Sequence, residues 1–169
     1  FSIYFCMFKK KLELTFISII LLAVSFLGFN YYDAYTFKNN ELSEVYKNRI
    51  NLKVKEVLEN MQDNYGYIID VELIVTDKFK GRLYGLTSYK NSEIKIYLNK
   101  KVMQESMDYM VESVIAHEYA HALMFAQGNI HTKSDGHSLK WQETCVKLGG
   151  KDCQQYVDQQ EIIMSKLPF

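Results

Sequence analysis

The first apolar block is the least interrupted. From Leu14 to Phe29 no charged residue appears, and a span from Leu12 to Tyr32 gives about twenty residues, the length a helix needs to cross a bilayer. Lys9, Lys10 and Lys11 precede the block, and Tyr31, Tyr32 and Tyr35 follow it. Lysines before and tyrosines after fit a positive-inside anchor with an aromatic belt, and Glu13 sits at the end, where a charge reaches the interface. No polar face breaks the run, as the exposed side of a soluble core helix would. A cleaved signal peptide shares the order of charge then apolar run, but no small-x-small cleavage site follows, which favours an uncleaved anchor. Met7-Phe8-Lys9-Lys10-Lys11 would make a conventional start for such an anchor, leaving residues 1–6, Cys6 among them, outside the working protein.

Beyond Lys38-Asn39-Asn40 the pattern changes. Leu42, Val45, Tyr46, Ile50, Val54, Val57, Leu58 and Met61 fall at helical spacing among Lys, Glu and Asn, with Asn40 as cap and Asn64-Tyr65-Gly66 as stop. Tyr67, Ile69, Val71, Leu73 and Val75 then alternate with polar residues and predict a strand. Two more strands, about Arg82 to Tyr89 and Glu93 to Leu98, flank Lys90-Asn91-Ser92 as a hairpin, with Ile94, Ile96 and Leu98 on one face. Helical spacing returns from about Glu105 to Gln127 and stops at Gly128-Asn129. A loop from Ile130 to Gly136, a short helix ending at Gly149-Gly150 and a last helix from about Asp152 to Lys166 complete the chain. The fold class is therefore α+β: an N-terminal transmembrane helix, a helix, a small three-stranded sheet, a long helix and two C-terminal helices. Residues 1–36 form the anchor segment, and residues 37–169 form one compact domain.

Composition changes this picture in only a few places. At 169 residues there is room for one domain and an appendage. Lys+Arg and Asp+Glu balance at 20 each, so the basic excess expected of a nucleic-acid binder is absent. Thirteen Tyr can help fill a core, while one Pro and eight Gly argue against a linker-rich chain. Cys145 and Cys153 form no C-x-x-C pair, and leave open either a disulfide in an exported domain or two buried thiols.

All four histidines lie between positions 117 and 137. His117-Glu118-Tyr119-Ala120-His121 is an H-E-x-x-H on a predicted helix. Residues four apart share one helical face, so both imidazoles can reach a single ion with Glu118 beside them. Val111, Val114, Ile115, Ala116, Ala122 and Leu123 surround the motif, and a buried helix carries such polar groups only when they are paired or metal-bound. A catalytic zinc takes three protein ligands and keeps a fourth position for water. His131, His137 and Glu143 are the candidates for the third. His131 lies in a polar loop, whereas His137 opens a helix whose stripe of Trp141, Cys145 and Leu148 would hold it in place.

Residues 114–123 (VIAHEYAHAL), Gly136-His137, the aromatic Trp141 and Leu148-Gly149-Gly150 together resemble the SprT-like zinc metallopeptidases. Residues 81–87 and 93–99 resemble the β-hairpin before that family's active-site helix. The resemblance covers roughly residues 42–150 and implies His117, His121 and His137 as zinc ligands and Glu118 as the catalytic glutamate. Ser138 departs from the family, where Gly is usual, and the C-terminal zinc ribbon of some members is absent. The resemblance implies hydrolysis of a protein or peptide substrate, Glu118 taking the proton of a zinc-activated water. The segment Glu93 to Leu98 could pair an extended substrate by strand addition. The family's best-known members act on DNA-bound proteins inside cells. Neutral charge and an apparent anchor point instead to a membrane partner, no nucleic acid, a cytoplasmic N-terminus and a catalytic domain outside, secreted if the anchor is cleaved. A cytoplasmic peptidase of DNA-associated proteins and a non-catalytic zinc module are the alternatives.

Overall fold

A computed structural model describes residues 2–79, 83–129 and 136–154. The chain divides into two compact units, Phe1–Glu41 and Leu42–Phe169. The first is a single helix, α1 (Ser2–Asn39), which outruns the predicted span at both ends. Within it Met7–Asn39 is long and apolar enough to cross a membrane. Two hydroxyls near the start of its apolar run turn back onto the helix's own backbone, Thr15 Oγ1 to the Lys11 carbonyl and Ser18 Oγ to the Leu14 carbonyl, both at 2.9 Å. These two hydroxyls thus find partners within the helix itself, as a helix in lipid requires.

The second unit begins with α2 (Glu44–Tyr65). Ser43 precedes it in extended conformation, so Asn40 is not its cap. The Asn40 N–H instead bonds to the Thr36 carbonyl and closes α1. Ile50, Lys53, Val57 and Met61 are the buried positions of α2, spaced by three or four as the pattern predicted. Gly66, at φ 78°, stops the helix where expected.

Strand β1 (Glu72–Thr76) is shorter than predicted. Its partner explains why: Glu72 pairs with Lys95, two residues after β3 (Glu93–Asn99) begins, so residues 67–71 have almost no ladder to join. Strand β2 (Gly85–Lys90) forms the predicted hairpin with β3, and the positive φ of both Asn91 and Ser92 gives the two-residue turn that matches strand twist. The sheet order is β1-β3-β2, with β1 parallel and β2 antiparallel to β3. Because β3 is flanked on both sides, it has no free edge, and strand addition along Glu93 to Leu98 is ruled out. Ile96 and Leu98 on β3 are fully buried in the core.

The single long helix expected from Glu105 to Gln127 is broken twice. Helix α3 (Lys100–Glu105), capped by Asn99, ends at Ser106, which leaves helical geometry at φ −149° and ψ 56°. After it come α4 (Met107–Tyr109), a π-helical turn (Met110–Val114) and α5 (Ile115–Ala126). The Ile115 N–H reaches the Met110 carbonyl, five residues back. This wide turn lies directly before the H-E-x-x-H segment, a common place for such irregularity beside a functional site. Gly128, at φ 76°, ends the helical stretch as predicted.

Helix α6 (Leu139–Lys147) begins after His137 rather than at it, with Ser138 as N-cap. Its end is held by a buried lysine: Lys53 Nζ donates to the Gly149 carbonyl at 2.8 Å and pairs with Glu56 Oε1 at 2.7 Å. Gly149 has φ 86°, a left-handed conformation that strains any residue with a side chain. Cys145 and Cys153, left open by the sequence, form a disulfide. The predicted last helix finds no support at Asp152 to Gln154, which are not helical, and its remainder lies outside the described residues.

Candidate metal centre and active site

Helix α5 supplies His117 and His121 one turn apart, and the turn before α6 supplies His137. Their Nε2 atoms form a nearly equilateral triangle: 3.3 Å from His117 to His121, and 3.2 Å from His137 to each. A neutral imidazole has one N–H, so any ring that turns Nε2 toward the triangle as an acceptor keeps its proton on Nδ1, the state of a metal ligand. Ligands placed tetrahedrally about 2.0–2.1 Å from a zinc ion stand roughly 3.3 Å apart, the spacing found here. Burial lowers the His117 pKa to about 4 and the His121 pKa to about 3, with neighbouring imidazoles adding to both, and burial also lowers that of His137. The rings are therefore neutral near pH 7, the state in which imidazole is a ligand. The three histidines could hold a metal ion.

Of the other candidates for third ligand, Glu143 is exposed on α6 and lies outside the cluster, and His131 falls outside the described residues. Trp141 packs beneath the site. Its ring lies 4.6 Å from His117, 5.0 Å from His121 and 4.4 Å from His137, stacked on His121 and edge-on to the other two. Ser138 accepts the Trp141 backbone N–H at 3.3 Å, so the residue that departs from the family's usual glycine serves as a helix cap. Among the described residues, Trp141 Nε1 is a buried polar atom without a hydrogen-bond partner. Ring packing, not hydrogen bonding, decides where the indole sits.

Glu118 projects toward β2 and is 5% exposed. Burial pushes its carboxyl up to about 7, while hydrogen bonding from the Thr87 side chain, and then from its backbone, opposes the shift. Thr87 Oγ1 lies 2.7 Å from Glu118 Oε2 and 2.9 Å from the Glu118 carbonyl oxygen. Thr87 was not among the expected site residues. Its only signal was its place on the core-facing side of β2, opposite Ile96.

The family comparison meets this geometry on the same elements. The model of the SprT-like family matches residues 54–161, which run from α2 past α6 and include all three histidines and Glu118. The chain belongs to the SprT-like family. No curated protein matches it. The match begins well after α1, so the long apolar helix is an addition to the part of this SprT-like protein that the family defines.

Proposed function

We propose that this SprT-like protein is a membrane-anchored zinc metallopeptidase that hydrolyses peptide bonds in protein substrates. The observation that carries the reading is the triangle of His117, His121 and His137 nitrogens beside a buried Glu118. These three residues would hold the ion. When bound, zinc supplies a Lewis acid that polarises a carbonyl and acidifies a water. Glu118 takes the water's proton and delivers it to the leaving amine. The extended substrate pairs with β2, not β3, since β2 lies at the edge of the sheet and carries Thr87 beside Glu118.

The membrane reading rests on α1 and on the three lysines before its apolar run, which favour a cytoplasmic N-terminus and an outward catalytic unit. The Cys145–Cys153 disulfide supports the same side, since such bonds persist in oxidising compartments. A nucleic-acid partner finds no support in a chain of zero formal charge.

The test uses the full chain in detergent. It should carry close to one zinc and cleave an unfolded protein such as casein. Glu118→Gln should keep the zinc and lose about 10²- to 10⁴-fold in rate. His137→Ala should lose zinc as thoroughly as His121→Ala. Loss of zinc in His131→Ala with retention in His137→Ala would overturn the ligand set. For topology, alkaline phosphatase fused after Phe169 should be active. A silent but well-expressed fusion would place the domain inside and revive a cytoplasmic substrate.

A further inference from the structure

The residues that shape the Glu118 carboxylate come from β2, a strand that no metal-binding motif touches. Gly85 and Thr87 are two apart, so both lie on the face of β2 opposite Leu98 and Ile96, toward the core. A Cβ built on Gly85 would stand 2.6 Å from Glu118 Oε1, 2.8 Å from its Cγ and 2.9 Å from its Cδ. Any side chain there would drive the carboxyl group out of its place. Two residues on, the Thr87 hydroxyl meets Oε2 at 2.7 Å. One strand thus clears space for one carboxylate oxygen and supplies a donor to the other.

We propose that Gly85 and Thr87 form a seat that fixes the orientation of the Glu118 carboxylate, with Thr87 as a positioning residue for the proton transfer. The inference rests on the metallopeptidase reading above and deepens it. A glutamate side chain has three rotatable bonds, and a proton acceptor works only within hydrogen-bond reach of the proton it takes. Thr87 removes that freedom by holding Oε2. Thr87 Oγ1 engages Oε2, and the seat thereby assigns Oε1 to the reacting proton. A bond to Oε2 also survives when Oε1 receives that proton, so the carboxyl group stays in place through the cycle. Without the hydroxyl a buried carboxylate loses its side-chain donor and swings to find another.

The experiment compares the wild type, Thr87→Val, Thr87→Ser, Gly85→Ala and Glu118→Gln, each as the full chain in detergent. Zinc content, melting temperature, kcat and KM on a peptide substrate are measured for each. Thr87→Val keeps the shape and removes the hydroxyl. Its kcat should fall about 10- to 100-fold, with KM unchanged and zinc still near one per chain. Thr87→Ser restores the hydroxyl and should recover kcat to within about threefold of wild type. Gly85→Ala should lower kcat with zinc retained, by displacing the carboxylate from the other side. Wild-type kcat in Thr87→Val, a Thr87→Ser variant as slow as Thr87→Val, or loss of zinc in step with kcat in both Thr87→Val and Gly85→Ala would each overturn the proposal. Failure of the underlying reading looks different: the wild type would not hydrolyse the peptide, or Glu118→Gln would hydrolyse it as fast.

Discussion

Helices α1 and α5 are both apolar around most of their circumference, and they meet opposite fates. On α1, Leu22 is 71% exposed and Phe29 68%, with every charge confined to the two ends. On α5, Ile115, Ala116 and Leu123 have no exposure, and the polar groups sit in the middle of the helix. An apolar helix must find an apolar surrounding, and these two find different ones. Helix α5 takes the protein's own core, which can supply partners for two histidines and a glutamate. The exposed face of α1 has the composition of a helix solvated by lipid, where a mid-helix charge would find no partner. The location of polar residues, rather than the degree of hydrophobicity, tells the two apart.

A charge placed in each helix is the most forceful way to break that comparison. Ala120→Arg, at a fully buried site in α5, should destabilise the folded unit by more than about 4 kcal/mol and abolish zinc binding with it. Leu21→Arg in α1 should leave melting temperature and zinc content unchanged. It should weaken membrane retention by about 2.5–3.5 kcal/mol, read as a shift into the soluble fraction. If Leu21→Arg empties the metal site, α1 is a packing element of the folded unit and the contrast fails.

The next largest effect concerns α6, which braces α5 through Trp141. Cys153→Ser, or reduction of the disulfide, should cost about 2–3 kcal/mol by the loop-entropy estimate, seen as a lower melting temperature of the full chain. An unchanged melting temperature would show that packing and the Lys53 bond to the Gly149 carbonyl hold α6 without the disulfide.

A smaller effect should appear with pH in the presence of a chelator. Burial holds His117 near 4 and His121 near 3 in the folded unit, so between about 6.5 and 4 the unfolded chain takes up their protons first, and His137, also lowered by burial, acts in the same direction. Stability from these rings is therefore present above about pH 6.5 and lost as pH falls. Glu118, raised to about 7, acts in the opposite sense, because the folded unit binds its proton first. His117 and His121 together outweigh the one carboxyl and leave a net loss of order 1–2 kcal/mol between pH 7 and pH 5, to which His137 adds in the same direction. Thermal melts at the two pH values would check it, and a higher melting temperature at pH 5 would reverse the assignment of neutral rings.

The smallest effect is at the N-cap of α6. Ser138→Ala should cost about 1 kcal/mol, and Ser138→Gly, which restores the family's usual residue, only a few tenths. Equal melting temperatures for all three proteins would show that the Trp141 platform needs no cap.

Much of the site was legible because its chemistry lies in residue identity and short spacing. His117, Glu118 and His121 declare themselves by an i, i+4 pattern, and His137 by the packing stripe behind it. The hairpin was legible too, since Asn91 and Ser92 carry the turn locally. What stayed hidden depends on pairings distant in sequence. The central place of β3, and hence the lack of an edge on it, follows from β1 joining it in parallel, which no local pattern encodes. Thr87 and Gly85 read only as core-facing strand residues until α5 lies against them. The π-helical turn at Met110–Val114 leaves no mark, because the apolar residues around it satisfy a 3.6-residue repeat almost as well. Lys53 falls among the polar positions of α2 in sequence, and only the end of α6 makes it a buried partner.

Trp141 is the one tryptophan in the chain, and its indole lies against all three imidazoles. Indole emission from this protein therefore originates at a single point, the floor of the histidine cluster. Indole emission is quenched by a neighbouring imidazolium and altered by a cation held on the adjoining rings. The molecule carries its own optical gauge of whether those rings are neutral, protonated or loaded, and loading can be followed in real time without attaching a dye.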